Sequence, residues 1–197
     1  MSTSPRQATI ERRAFVADLL KACPDALVIT GLGSPTYDVF AAGDSARYFY
    51  LWGAMGGTTT MGLGLALAQP ERPVLIITGD GEQLMGLGGL ATAAAQQPLN
   101  LSIVVLDNGH FGETGMQRSH TSLGTRLADV AQACGVSHTQ AVFSETEIPA
   151  LAQRINARNG MLLAQVHIRQ DDIPRVLPSR DGVYLKNRFR EALGFPC

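Results

Sequence analysis

Six short apolar runs, each leaving into a polar or glycine-bearing loop and separated by stretches of helical character, constrain this chain more than any other feature. They are ALVIT (26–30), RYFYLW (47–52), PVLIIT (73–78), LSIVVLD (101–107), SHTQAVF (137–143) and MLLAQVHI (161–168). They are too short for helices, and the central ones are apolar at consecutive positions, the pattern of strands buried on both faces. Between them lie TYDVFAA, started at Ser34 and Pro35, then MGLGLALAQ, QLMGLGGLATAAAQ, TRLADVAQACG and ETEIPALAQRINA, all of helical composition. The alternation predicts an α/β fold in three layers, a parallel sheet with helices on both faces. A first helix through ERRAFVADLLKAC, capped by Thr9, precedes the first run. After Gln170 the chain becomes polar and proline-containing (DDIPRVLPSRDG), then amphipathic (VYLKNRFREALG). The expected organisation is one α/β domain over residues 1–170, with 171–197 its C-terminal arm and helix.

Composition narrows the partners. Hydrophobic residues make up 45% of the 197 and charged residues 17%, so part of the surface is expected to be covered by another subunit. A net charge of −1 without any Lys/Arg run gives no electrostatic reason to expect nucleic acid or an anionic membrane. Cys23, Cys134 and Cys197 are widely spaced and form no CxxC pair, which argues against zinc or a redox dithiol and for a reducing compartment. No apolar run reaches the ~20 residues of a membrane span, and the N-terminus lacks a signal-peptide core, so a cytoplasmic location is expected.

In a parallel sheet, ligands gather at the carboxyl ends of the strands. Gly79-Asp80-Gly81 follows the third run and Asn108 follows the fourth, with 26 residues (82–107) between them. The two tips share one sheet edge, so the Asp80 carboxylate and the Asn108 amide oxygen can face one hard cation. Mg²⁺ suits those ligands and completes its shell with diphosphate oxygens, water and a backbone carbonyl, here that of His110. Gly79 and Gly81 are expected to turn tightly and let the backbone approach an anion, with a helix opening at Glu82 aiming N–H groups at it. GDG alone also reads as a simple strand-to-helix turn, and gains specificity only with Asn108 and the upstream GAMGG loop. In the first loop, GLGSPT, the Ser34 or Thr36 hydroxyl can hold a terminal phosphate or cap the following helix. A dinucleotide-binding reading of that loop fails, because GxGxxG is not completed.

The GDG motif, its spacing to Asn108 and Gly53-Ala54-Met55-Gly56-Gly57 together resemble the cofactor motif of thiamine diphosphate enzymes. VITGLGSPTYDVF, YFYLWGAMGG, DNGHFGETG and RDGVYLKNRF extend that resemblance over nearly the whole chain. They are similar to the small β subunit of sulfopyruvate decarboxylases and to the C-terminal half of phosphonopyruvate decarboxylases. The resemblance implies thiamine diphosphate and Mg²⁺ as cofactors and decarboxylation of a small 2-oxo acid. It implies cofactor contacts from Gly33, Ser34, Thr36, Gly53, Met55, Gly79, Asp80, Gly81, Glu82, Asn108, His110, Phe111 and Gly112. Gly53 and Met55 would offer backbone groups to the pyrimidine, and the Met55 side chain would wedge the cofactor into its bent form. The glutamate that activates the pyrimidine is expected from a separate pyrimidine-binding subunit, in a hetero-oligomer of paired dimers.

The loop 110–121 would lie over the reacting end, with Glu113 and His120 as catalytic candidates. Arg118 and His120 suit a sulfonate or phosphonate, although a solvated loop face is the favoured reading of each. His138 and His167 read as structural residues of strands. Two other functions fit the same motif: a subunit of an acetolactate synthase-like carboligase, or a non-catalytic cofactor-binding module.

Overall fold

The computed structural model describes residues 8–195. The chain runs α1 (Arg12–Ala22), β1 (Leu27–Thr30), α2 (Ser34–Ala41), β2 (Tyr48–Tyr50), α3 (Thr58–Ala68) and β3 (Val74–Gly79). It continues through α4 (Asp80–Met85), α5 (Gly88–Gln96), β4 (Leu101–Asp107) and a small hairpin, β5 (His110–Phe111) with β6 (Gln117–Arg118). Then come α6 (Leu127–Ala133), β7 (His138–Val142), α7 (Ile148–Ala157), β8 (Leu162–His167) and α8 (Gly182–Ala192). Strands β2-β1-β3-β4-β8-β7 pair in that order, all parallel, into one sheet. No helix among the described residues is long and apolar enough to cross a membrane.

Each central strand is apolar on both faces because each face has its own core. Leu75, Ile77, Val104, Leu106, Ala164 and Val166 pack with Phe15 and Leu19 of α1, Val39 of α2 and Leu151 of α7. The alternate residues Val74, Ile76, Ile103, Val105 and Leu163 pack with Leu63 of α3, Leu90 and Ala93 of α5 and Leu127 of α6. Fully burying one such side chain contributes about 1.5–3 kcal/mol. The register Ile76↔Ile103 and Ile77↔Val104 keeps the two sets apart, since a one-residue slip would exchange the faces.

The structure corrects two local expectations. Glu11, not Thr9, caps α1: its carboxylate accepts the Arg13 and Ala14 N–H groups, while the Thr9 hydroxyl reaches the Phe143 carbonyl. A cap must directly precede the first helical residue, and Thr9 stands too early. The helix expected through QLMGLGGLATAAAQ is two helices, α4 and α5, broken after Met85. A Cβ on Gly86 would lie 2.1 Å from the Gly56 carbonyl oxygen, and one on Gly56 would lie 2.9 Å from the Gly86 nitrogen. The backbone of the GAMGG loop therefore crosses that of the break with no room for side chains.

Two glycines of α3 give a contrasting prediction. A Cβ on Gly62 would lie 2.3 Å from Cδ1 of the fully buried Ile76, whereas one on Gly64 meets nothing within 4 Å. Gly62→Ala should destabilise the chain by roughly 1–3 kcal/mol through overpacking. Gly64→Ala should stabilise it by up to about 1 kcal/mol through helix propensity. Denaturant unfolding of both variants decides, and equal effects would refute this packing.

The C-terminal arm and α8 close the β2 edge. Phe189 packs edge-on against Phe49 at 5.8 Å, and Arg188 pairs with Asp44 and donates to the Tyr48 carbonyl. Trp52 Nε1 donates to the Ser179 carbonyl at 2.9 Å. Residues 169–181 are thereby carried past the carboxyl ends of β4 and β8, where the functional groups collect.

Candidate functional site

A cavity of about 690 Å³ opens at the carboxyl edge of the sheet. It is lined by Ser34 and Pro35 of α2, Met55, Gly79, Asp80, Gly81 and Glu82, and Asn108 with His110, Phe111, Gly112 and Glu113. Asp171, Asp172, Ile173 and Arg175 of the arm line it as well.

Asp80 is 2% exposed and opens α4. Ser119 Oγ donates to its Oδ2 at 2.5 Å. The Thr121 hydroxyl lies 3.2 Å from the same oxygen and 2.7 Å from Oδ1 of Asp107, so its single proton serves one carboxylate at a time. Asp107, also buried, takes further hydrogen bonds from the Gly109 N–H and from Gln165 Nε2 at 2.6 Å. Among the described residues no Lys or Arg pairs with either acid. The nearest positive candidate is His167 Nδ1, 3.8 Å from Asp107, on an imidazole whose pKa burial pushes down and which stacks on Phe143.

Burial first, and the Asp107 charge second, push the Asp80 carboxyl up to about 6, against the Ser119 and Thr121 hydrogen bonds. The folded chain thus holds the Asp80 proton more tightly than the unfolded chain does. Stability falls as pH rises from the ordinary carboxyl range through about 6, and ionised Asp80 costs about 2–3 kcal/mol at neutral pH.

Such a site suits a divalent cation. Asn108 is held ready by an Asx turn, its Oδ1 accepting the His110 N–H at 2.9 Å while His110 Nδ1 lies 2.9 Å from the Asn108 carbonyl. No group of three His, Cys, Asp or Glu that could cage a metal exists among the described residues. A cation at Asp80 and Asn108 would have to take its remaining oxygens from water or a ligand, which matches Mg²⁺ shared with a diphosphate and not a structural zinc. The donor set therefore fits the expected cofactor.

Other candidates occupy more varied places. Met55 lines the cavity with 43% of its surface exposed. Gly53, at φ +70°, shapes that loop without lining the cavity. Gly79 has φ −99° and Gly81 is helical, so the strand-to-helix turn is made without a left-handed residue at either. Gly81 is needed for proximity instead: a Cβ there would lie 2.7 Å from the Phe111 ring.

Glu82 does not begin the helix, and its carboxylate turns inward. It accepts from Thr58 and, at 2.5 Å, from Thr78, and fills the space where a Cβ on Gly31 would stand. Thr36 is drawn away from the cavity: its hydroxyl donates to the Gly31 carbonyl at 2.7 Å and lies 2.6 Å from that of Thr30. Ser34 remains on the lining, and no side chain caps α2 there.

Gly33 sits at φ +87° beneath Glu113, whose Cγ would meet a Cβ at 3.0 Å. Glu113 Oε2 accepts from Arg175 Nη2 at 3.0 Å, which fastens the hairpin loop to both α2 and the arm. His120 and Arg118 do not line the cavity, and Arg118 is bound to Ser122. His138 and His167 lie on β7 and β8. Cys23 is buried, its thiol pushed up to about 11, while Cys197 lies outside the described residues. Sequence reasoning missed Asp107, Ser119, Thr121, Arg12 and Arg175, all found here beside or on the cavity.

Residues 36–173 match the family described as thiamine pyrophosphate enzyme, C-terminal TPP binding domain. Phosphonopyruvate decarboxylase of Streptomyces hygroscopicus is 37% identical over 195 residues, covering 96% of this chain and 47% of that protein. The chain thus spans about half the length of that relative. Sulfopyruvate decarboxylase subunit beta of Methanothermobacter thermautotrophicus is 44% identical over 126 residues, covering 64% of this chain and 67% of that protein. Among solved structures, benzoylformate decarboxylase from Polynucleobacter necessarius superposes with a TM-score of 0.72 at 18% identity, covering 88% of this chain and 36% of that one. At that identity the superposition speaks for the fold alone.

Proposed function

This chain belongs to the thiamine pyrophosphate enzymes as their C-terminal TPP-binding domain, and from that premise we propose that it is the diphosphate- and Mg²⁺-binding subunit of a decarboxylase for sulfopyruvate or phosphonopyruvate. The observation that carries the reading is the buried, under-neutralised Asp80 on a cavity that Met55 and the arm also line. The two relatives support the substrate class by their names, and one of them is named as a subunit.

Asp80 and Asn108, with the His110 carbonyl, would hold Mg²⁺, and Ser34 with the loop around Gly33 would face the terminal phosphate. Gly53 and Met55 would receive the pyrimidine, and Phe111 and Gly112 would cover the diphosphate. Thiamine diphosphate, when bound, supplies the electron sink that makes carbon dioxide loss from a 2-oxo acid possible. The chain's own share is positioning. Ser119 and Thr121 aim Asp80, the Asx turn aims Asn108, and Glu113 seats the loop over the reacting end.

A pyrimidine-binding partner subunit would supply the activating glutamate and complete the paired hetero-oligomer. Met55 and Met85, 43% and 60% exposed on the cavity lining, offer apolar surface for the cofactor and that partner.

The test is carbon dioxide release from phosphonopyruvate and sulfopyruvate by the chain alone and co-purified with its partner. Release that needs both polypeptides is expected, and none from either acid would remove the proposal. Met55→Ala should leave cofactor binding within a few-fold while lowering kcat by about 10-fold or more, the signature of lost positioning. An unchanged kcat would reject the wedge role.

A further inference from the structure

The cavity holds more acids than bases on its walls, and its two arginines are in different states. Arg12 is 6% exposed and committed, pairing with the fully buried Asp38 and donating to the Ser34 carbonyl. His110 has turned Nδ1 back on the Asn108 carbonyl. Arg175 instead stands at the rim, its side chain 62% exposed, with Nη2 on Glu113 and no bond from Nε or Nη1 to any described residue. The guanidinium lies over the Tyr37 ring at 5.8 Å, and the arm is pinned next to it by Arg13 Nη2 donating to the Pro174 carbonyl at 2.8 Å. Arg175 is therefore placed but not consumed.

We propose that Arg175 is the specificity residue of this site, exchanging Glu113 for the tetrahedral oxyanion at the far end of a dianionic 2-oxo acid. The inference rests on the decarboxylase reading for its substrate and on the cavity geometry for its residue. A planar guanidinium fork matches two oxygens of a sulfonate or phosphonate, and charge-assisted pairs of that kind are the stronger hydrogen bonds. The pair it replaces is weak, because exposed ion pairs typically contribute no more than about 1 kcal/mol. A substrate lacking the second anion leaves Arg175 on Glu113 and gains nothing from it. Arg118 and His120, the sequence-level candidates for that task, do not line the cavity, and Arg118 is held by Ser122.

The experiment uses the cofactor-loaded complex of this chain with its partner subunit. Calorimetry measures binding of 3-phosphonopropionate and 3-sulfopropionate, with propionate as the control lacking the far anion. Steady-state kinetics compare phosphonopyruvate and sulfopyruvate with pyruvate. Arg175→Ala should weaken both dianionic probes by about 10–100-fold and raise KM for the dianionic substrates by a similar factor. Any cost of losing the Glu113 contact should fall on pyruvate and the dianionic acids alike, so the ratio of their kcat/KM values should drop by about 10–100-fold, and Arg175→Lys should recover part of that ratio.

Equal losses for pyruvate and dianionic substrates, or unchanged probe binding, would overturn the role of Arg175. Probe binding that depends on Arg175 in a wild-type complex that turns over none of the acids would sink the decarboxylase reading and keep the anion site. Turnover with a wild-type KM in Arg175→Ala would do the reverse. A wild-type complex that binds neither probe overturns the inference whatever it turns over, and the relative strength of the two probes separates sulfonate from phosphonate as the source of the oxyanion.

Discussion

Asp80→Asn is expected to abolish Mg²⁺-dependent binding of thiamine diphosphate while making the cofactor-free chain more stable at neutral pH. The two effects share one cause. Asp80 is ionised at pH 7 in a site that burial and Asp107 make hostile to charge, with one hydroxyl proton shared between the two acids. An asparagine keeps the shape, still accepts from Ser119, and carries no charge beside Asp107. The apo chain should gain about 2 kcal/mol at pH 7.5, the order set by a shift from 3.8 to about 6. Because the folded-state value is raised, the penalty belongs to the high-pH side: the gain should shrink as pH falls through 6 and vanish near 4. Denaturant unfolding across that range reads the gain in stability, and calorimetric titration with Mg²⁺ reads the loss of binding, about 100-fold or more in affinity. Retained affinity would remove Asp80 as the cation ligand. A destabilised apo variant would instead show that the acid pair is already neutralised without a cation.

Gly86→Ala should be nearly as damaging, although Gly86 touches no expected ligand. Its Cβ would lie 2.1 Å from the Gly56 carbonyl oxygen and 2.8 Å from the Gly56 carbonyl carbon. Those are backbone atoms of the loop that carries Met55, so relief must come from moving the loop or unwinding the end of α4. A displacement on the order of 1 Å at a positioning element can cost about 100-fold in rate. Gly88, two residues on, has nothing within 4 Å of its Cβ position and supplies the control. Turnover by the reconstituted complex should fall by about two orders of magnitude for Gly86→Ala and stay near wild type for Gly88→Ala. Indistinguishable variants would mean that the crossing of the two loops does not set the Met55 position.

The sheet was legible because its strands are bounded apolar runs at a regular interval, and Val74–Ile77 and Leu101–Leu106 can hardly be read otherwise. Asp80 and Asn108 were legible as neighbours because parallel strands bring consecutive tips to one edge, and both line one cavity. The break between α4 and α5 was not legible. A glycine inside a helical pattern reads as tolerated, and the close approach of Gly56 is a long-range contact that local composition does not encode.

Asp107 was hidden for a different reason. It ends an apolar strand beside the more suggestive Asn108, and its pairing with Asp80 depends on Thr121 from a loop without periodicity. Thr36 shows the converse: a hydroxyl in the right loop looked free for a phosphate, yet the turn needs it for its own Gly31 carbonyl. Arg175 could not be singled out because the arm has no repeating pattern, and only the fold returns it to the cavity.

The most direct measurement is calorimetric titration of thiamine diphosphate into the wild-type chain co-purified with the proposed partner subunit, in Mg²⁺ and again in EDTA. The account predicts saturable binding, one cofactor per copy of this chain, that disappears with the chelator. Binding of equal strength in both buffers, or none in either, would contradict the claim that Asp80 and Asn108 hold a cation-bridged diphosphate.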